Sequence, residues 1–235
     1  MMMKNNQNIT NEAIKQTFIL FALLLISYQT KNFSEILYNI VVFLIILFQI
    51  TIPAKIINKY NENIDDYNIH AHGLENIFNN KNYFINYSKI NKEILYLCLI
   101  IAIFFPAYFL LYIKYYNLNF KLAFPPSWPL EIISQIFVVA MPEEIFYRGF
   151  LQNALLKRFS IYKSILITNV FFALSHLFIE INIMRILTFF PGLVFSWLAY
   201  KNKSLLSAIL FHALCNLLGQ FLWYSRSEEH TSELQ

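Results

Sequence analysis

Three charged side chains lie close together inside a long apolar stretch of this sequence. Glu143, Glu144 and Arg148 follow a mostly apolar run that could enter the interior of a lipid bilayer. A charged group near the bilayer centre costs about 2.5–3.5 kcal/mol, so packing alone explains three of them poorly. Two later apolar segments each contain one histidine, His176 and His212. Carboxylates and imidazoles are the side chains that enzymes use to move protons and to bind catalytic metals.

The spacing of the charges predicts one ion pair and one carboxylate left over. Glu144 and Arg148 are four residues apart, which places them on one helix face with the acid N-terminal to the base. Glu143 points about 100° away from Glu144, because an α-helix completes a turn in 3.6 residues. Glu143 is therefore a candidate general base. Pro142 cannot donate to the helix ladder, and we expect it to kink or restart the helix and to open the site to water.

The two histidine segments each place polar groups on one helix face. Asn169, Phe172 and His176 are separated by three and four residues, and His212 and Asn216 by four. A lone histidine on an apolar helix more often packs than reacts, and polar side chains commonly join membrane helices to one another. For each segment taken alone, that packing explanation stays open.

Taken together, the polar groups suit the hydrolysis of an amide bond. Such a reaction needs a base to activate water, an acid for the leaving amine and donors for the oxyanion. Glu143, His176, His212 and Asn216 could fill those roles. Glu143, His176 and His212 are also a known type of catalytic zinc ligand set. Spacing alone does not choose between the two mechanisms.

The composition indicates a protein that crosses a membrane several times. Of its 235 residues, 57% are hydrophobic and only 14% are charged, whereas a soluble domain carries about 25% charged residues. We expect an all-α fold, a polytopic bundle of about seven transmembrane helices. The candidate spans are about 16–30, 36–54, 94–113, 130–156, 161–179, 184–200 and 204–224.

Loop charges predict the orientation of the bundle. Most lysines and arginines fall on the same side as the N-terminus, so that side is expected to be cytoplasmic. We expect an integral protein of a bacterial inner (plasma) membrane. The preference of lysine and arginine for cytoplasmic loops accounts for their excess over acidic residues, and the sequence shows no nucleic-acid-binding motif.

The chain divides into three parts on these criteria. Residues 1–125 hold N-terminal membrane helices and a polar cytoplasmic loop, 55–93. His70 and His72 lie in this loop, where a solvated linker is favoured over a metal site because no other ligand spacing accompanies them. Residues 128–225 hold the helices that bear the chemistry. Residues 226–235 match the translation of a sequencing-library adapter and are expected to be an artefact, so they are excluded from the functional interpretation.

The polar motifs together resemble those of a known family. Glu143-Glu144-x-x-x-Arg148, Phe172-x-x-x-His176 and His212-x-x-x-Asn216 resemble, in order, the three motifs of the CPBP intramembrane proteases. That family includes the type II CAAX prenyl endopeptidases and the bacteriocin-processing or Abi proteins. Each motif alone is weak, but the three in order on separate spans are a specific signal, and the resemblance covers about 128–220.

The resemblance implies an all-helical intramembrane endopeptidase. Glu143 would activate the water, His176 would assist it, and His212 with Asn216 would bind the oxyanion and leaving group. Glu144 and Arg148 would brace the site. The resemblance favours a glutamate mechanism without a cofactor, with zinc on Glu143, His176 and His212 as the alternative.

The implied partners are membrane lipid and a peptide or protein substrate, which could be lipidated; the sequence gives no oligomeric state. Two other functions stay open. The first is a non-catalytic membrane immunity or binding protein that retains the protease core. The second is a proton or ion transporter, since glutamate and histidine chains also build proton relays, although no inverted repeat supports it.

Overall fold

The computed structural model describes residues 2–69, 95–103, 106–107, 110, 126–179 and 183–233. Throughout these residues the regular structure is helical, and no strand occurs in them. The expected all-α fold is therefore confirmed. His70, His72 and the rest of the polar loop that follows them to residue 93 lie outside the described residues.

Six long helical elements, numbered here in chain order, make up most of the described chain. They are α1 (Met2–Thr30), α2 (Glu35–Lys59), α3 (128–156), α4 (Ile161–Ile179), α5 (Phe189–Asn202) and α6 (Leu206–Glu233). Residues 95–103 are also helical, and short 3₁₀ helices occupy Ile64–Tyr67 and Ile183–Thr188. The expected span 184–200 is thus replaced by a 3₁₀ turn and the shorter α5.

Three described helices are long and apolar enough to cross a membrane: Asn6–Thr30, Glu35–Lys59 and Ile161–Ile179. A shorter apolar helix covers Leu206–Gln220. Large apolar side chains stay exposed on the outer faces, among them Phe18 (57%) and Phe43 (59%). Such surfaces are stable in lipid and costly in water, so the chain is an integral membrane protein.

The boundaries of the first two helices differ from expectation. α1 begins at Met2, well before the expected first span, which starts at about residue 16. α2 continues through Pro53 to Lys59, because tertiary packing buries this proline within the helix. Ser34 caps the start of α2 by accepting a hydrogen bond from the backbone N–H of Leu37.

Helix α3 lies at the centre of the packing and is not a regular α-helix. It consists of α-helical Trp128–Ser134, a π segment Gln135–Ala140, α-helical Met141–Glu144, a second π segment Ile145–Gln152 and α-helical Asn153–Leu156. Pro142 therefore does not restart the helix, since Met141 keeps helical angles (φ −61°, ψ −50°). Instead, helix α3 widens into a π segment before Glu143 and Glu144 and into another after them.

A side chain supports the second π segment. Asn153 Nδ2 donates hydrogen bonds to the carbonyl oxygens of Arg148 (3.0 Å) and Gly149 (2.8 Å). A π turn displaces carbonyls from their usual partners, and a buried carbonyl needs a replacement. Asn153 thus stabilises the wide turn directly after Arg148.

The other helices surround α3. Helix α1 packs on α2 and α4, α5 packs between α4 and α6, and α6 packs along the first π segment. The buried centre is aromatic, with fully buried rings at Phe146, Phe150, Phe172, Phe195 and Phe211. Polar groups inside this layer must therefore find partners on neighbouring helices rather than in water.

Candidate active site

Arg148 is the hub of a buried polar cluster. Its guanidinium is 0% exposed and donates to four acceptors on three helices. Nη1 donates to Glu144 Oε1 (2.9 Å), Nη2 to Asn169 Oδ1 (3.1 Å) and Gly192 O (3.2 Å), and Nε to Ser196 Oγ (3.4 Å). The predicted Glu144–Arg148 ion pair is present, and both side chains are fully buried.

Aromatic rings enclose the same guanidinium. Its central carbon lies 4.1 Å from the ring centroid of Phe172 and 5.1 Å from that of Phe195. A buried charge is tolerated when it is paired, hydrogen-bonded and placed against aromatic faces. Arg148 meets all three conditions, so the cluster is a rigid centre in the bundle.

Polar side chains on α4 and α5 complete the cluster. Asn169 Nδ2 donates to Ser196 Oγ at 2.9 Å, and Gln152 Nε2 donates to Ser196 O at 3.0 Å. Gly192 allows the close approach, because a Cβ there would lie 2.4 Å from Asn169 Oδ1. The sequence placed Asn169 on the His176 face of its helix but gave no sign that its partner is Arg148.

His212 lies between the two glutamates. Its Nδ1 is 2.8 Å from Glu144 Oε1, and its Nε2 is 3.8 Å from Glu143 Oε2. Since a carboxylate oxygen accepts, Nδ1 carries the proton in the first contact. The Phe195 ring stacks on the imidazole at 4.7 Å with an interplanar angle of 16°. The orientation of His212 is therefore fixed, with Nε2 directed towards Glu143.

The Glu143 carboxylate is the least satisfied member of the group. Its side chain is 15% exposed, whereas that of Glu144 is fully buried. Glu143 Oε2 is buried yet has no hydrogen-bond partner among the described residues; Glu144 Oε2 lacks one too, but Glu144 Oε1 is bound by both Arg148 and His212. Leaving such an acceptor unpaired costs about 1–3 kcal/mol or more, so the atom is suited to receive a proton or a hydrogen bond from something that enters the site.

His176 adjoins this group through one aromatic ring. Its Nδ1–H donates to the Phe172 carbonyl at 2.9 Å, since a carbonyl oxygen only accepts. The His176 ring is 4.6 Å from the Phe172 ring, which in turn is 5.7 Å from His212. Both imidazoles therefore pack against Phe172, and His176 keeps Nε2 as an acceptor.

Asn216 contacts a residue that the sequence did not single out. Its Nδ2 donates to Gln135 Oε1 at 3.0 Å, which joins α6 to the first π segment of α3. Gln135 is 7% exposed. In the sequence, Gln135 is a single amide side chain within an apolar run, and nothing in that run identifies Asn216 as its partner.

Four of the six predicted residues thus form one group. The other two, His176 and Asn216, lie on the neighbouring helices α4 and α6. Glu143, Glu144, Arg148 and His212 are in contact or close approach. In the part of the chain that the structure describes, no group of three or more His, Cys, Asp or Glu side chains is arranged to hold a metal ion. His212 Nδ1 is already engaged by Glu144.

Comparison with known proteins agrees with the resemblance seen in the motifs. Residues 125–218 match the family model described as "Type II CAAX prenyl endopeptidase Rce1-like". The chain therefore contains an Rce1-like domain, and all six residues predicted for the site lie within it. No curated protein and no solved structure matches the chain.

Proposed function

We propose that the Rce1-like domain makes this chain an intramembrane endopeptidase, which hydrolyses a peptide bond of a membrane-associated, CAAX-like substrate with water activated by Glu143. The family is one of proteases, and its matched segment contains the buried polar group described above. The single observation that carries the proposal is the unpartnered Glu143 Oε2, 3.8 Å from the Nε2 of an imidazole that Glu144 orients.

Glu143 acts as the base in this mechanism. Its carboxylate takes a proton from water, and the resulting hydroxide adds to the carbonyl carbon of the scissile peptide bond. The same carboxyl then gives the proton to the leaving nitrogen as the C–N bond breaks. The products are one carboxyl terminus and one amine, so the protons balance without another reactant.

The two histidines, which both pack against the Phe172 ring, assist the reaction. His176 can accept a hydrogen bond from the attacking water at Nε2, because its Nδ1 donates to the Phe172 carbonyl. Glu144 holds the Nδ1 side of His212, so that Nε2 faces the site, and in the proposed mechanism Nε2 donates to the oxyanion of the tetrahedral intermediate when it carries a proton. A carboxylate that orients an imidazole in this way is a recurring arrangement in hydrolases.

Asn216 supplies a second donor for the oxyanion. An amide has two N–H groups, and the hydrogen bond to Gln135 Oε1 uses one of them. The other is available to the developing negative charge. An amide side chain is a poor zinc ligand but a good oxyanion donor, which supports a mechanism that requires no metal.

The proposed orientation places the N-terminus in the cytoplasm of a bacterial cell, with the protein in the plasma membrane. A lipidated substrate fits this setting, because its hydrocarbon chain would remain among the lipid tails beside apolar helix faces. The peptide portion of the substrate would reach Glu143 from the aqueous side of the membrane. The membrane thereby concentrates the substrate near the site.

The test is cleavage of a farnesylated fluorogenic peptide with a CAAX sequence by the purified protein in liposomes. Wild type should cleave it, and Glu143→Gln should lose activity while it still inserts and folds. Glu131→Gln is the matched control, because Glu131 lies in the first turn of the same helix and outside the polar cluster. Cleavage by Glu143→Gln at the wild-type rate removes the proposed mechanism.

A non-catalytic immunity or binding protein is the alternative. The mutual pairing of Glu144, Arg148, Asn169 and Ser196 favours it, because those contacts alone could serve helix packing. Under that function, Glu143→Gln would protect or complement cells as well as wild type does. The endopeptidase proposal predicts the loss of complementation by the same variant.

A further inference from the structure

A hydrogen bond between two amides joins the helix of the proposed base to the helix of the proposed oxyanion donor. Asn216 Nδ2 lies 3.0 Å from Gln135 Oε1, and Gln135 is buried. Gln135 is the first residue of the π segment that ends directly before Met141–Glu144. Helix α6 packs along this π segment.

The chemistry of the pair fixes the direction of the Asn216 side chain. Gln135 Oε1 can only accept, so it binds the nitrogen end of the Asn216 amide and excludes its oxygen. With one N–H engaged, the direction of the second N–H is set by the plane of the amide. A freely rotating amide would present its oxygen to the oxyanion for part of the time, and two negative oxygens repel.

We propose that Gln135 is a positioning residue, which holds Asn216 so that its second N–H is directed at the oxyanion. The inference rests on the proposed endopeptidase function and adds a residue to it. Gln135 touches neither substrate nor water in this role and acts entirely through Asn216. One helix thereby aligns both the base, Glu143, and the donor on α6.

The π geometry explains how one helix reaches both partners. A π turn is wider than an α turn, so residues that precede it are displaced around the helix axis relative to those that follow. Gln135 lies at the start of the wide segment and Glu143 just beyond its end. The first π segment therefore sets the angle between the residue that holds the oxyanion donor and the residue that activates water.

The test is a double-mutant cycle on cleavage of the farnesylated fluorogenic peptide. Gln135→Met keeps the length of the side chain and removes the acceptor, and Asn216→Ala removes the donor. Gln135→Met should lower kcat about tenfold or more with KM changed less than twofold, since misplacement of a catalytic group by 1 Å can cost about a hundredfold. In the Asn216→Ala background, Gln135→Met should cause no further loss.

Val138→Ala is the control variant. Val138 lies in the same π segment, and its side chain is 46% exposed on the outer face. It should cleave the peptide at the wild-type rate, which separates loss of the hydrogen bond from general disturbance of the π segment.

Two results overturn the inference. The first is a kcat for Gln135→Met within twofold of wild type. The second is an equal loss from Gln135→Met in the wild-type and Asn216→Ala backgrounds, which would mean that Gln135 acts by another route.

Failure of the proposed function has a different signature. Glu143→Gln would then cleave the peptide normally, or wild type would not cleave it. In that case the contact itself is tested by unfolding temperature in detergent. The double variant should melt no lower than the less stable of the two single variants, and strictly additive losses would count against the pairing.

Discussion

Glu144 and His212 are 68 positions apart in the sequence, yet Glu144 Oε1 lies 2.8 Å from His212 Nδ1. The same oxygen lies 2.9 Å from Arg148 Nη1. One carboxylate oxygen thus connects the buried arginine cluster to the imidazole that faces Glu143. Glu144 therefore belongs both to the arginine cluster and to the proposed reaction centre.

Glu144→Gln should separate the electrostatic role of Glu144 from its role in orientation. Without the negative charge, Arg148 becomes a buried and poorly compensated cation, and breaking such a pair costs about 3–5 kcal/mol. We expect a lower unfolding temperature in detergent and a kcat lowered by about 10–100-fold, because His212 loses its charged partner.

The double variant Glu144→Gln with Arg148→Met is the matched control. Removal of both charges should restore part of the stability, since a buried pair can be replaced by apolar groups at little cost. Activity should stay low, because His212 still lacks its charged partner. A double variant with wild-type kcat would show that His212 does not need the negative charge of Glu144, since a glutamine at that position keeps an oxygen that can accept from His212 Nδ1.

Gly192→Ala should destabilise the arginine cluster. The new Cβ would lie 2.4 Å from Asn169 Oδ1 and 3.2 Å from Arg148 Nη2, so both side chains would have to move. Overpacking of this kind typically costs about 1–3 kcal/mol. The measurement is thermal unfolding in detergent together with peptide cleavage.

Gly219→Ala provides the matched comparison for that substitution. Apart from its two chain neighbours and the nearby backbone of its own helix, no heavy atom lies within 4 Å of the Cβ position at Gly219. The same chemical change there should leave unfolding and cleavage near wild type. Equal effects at both glycines would mean that helix propensity, and not contact with Arg148 and Asn169, determines the outcome.

Asn216→Ala should slow cleavage by about 10²–10³, the usual loss when one oxyanion donor is removed. The effect should fall on kcat, because the oxyanion exists only in the transition state and the intermediate. Pre-steady-state cleavage of the farnesylated peptide measures the chemical step directly. A change confined to KM would instead assign Asn216 to substrate binding.

Removal of divalent metals should leave activity intact under the proposed glutamate mechanism. Wild type dialysed against EDTA and then against 1,10-phenanthroline should retain its kcat, and metal analysis should find less than one zinc per chain. Loss of activity that zinc alone restores would favour the zinc alternative.

Local spacing in the sequence predicted the contacts that lie within one helix. Glu144 and Arg148 are four residues apart, and their ion pair follows from helix geometry alone. The same reasoning placed Asn169 and His176 on one face of α4. The apolar composition was sufficient to predict the all-helical membrane fold. Only helices and closed β-barrels satisfy the backbone polar groups in lipid, and apolar runs of about 20 residues are typical of helices.

Contacts between helices could not be predicted in the same way. The partners of Arg148 on α5, Gly192 and Ser196, depend on how close α5 approaches α3, and no local pattern encodes that distance. The π segments also change the direction of every residue after them, so the α-helical register used for the sequence could not relate Gln135 to Glu143.

The order of the helices has a consequence for biogenesis. Arg148 enters the translocon before α4 and α5 have been synthesised, so its partners Asn169, Gly192 and Ser196 are not yet available to it. Glu144 is already available to Arg148, because it lies one turn earlier in the same helix. We expect Glu144 to neutralise Arg148 during insertion, and a glycosylation-mapping assay of the isolated segment 126–160 should show less efficient insertion for Glu144→Ala than for wild type.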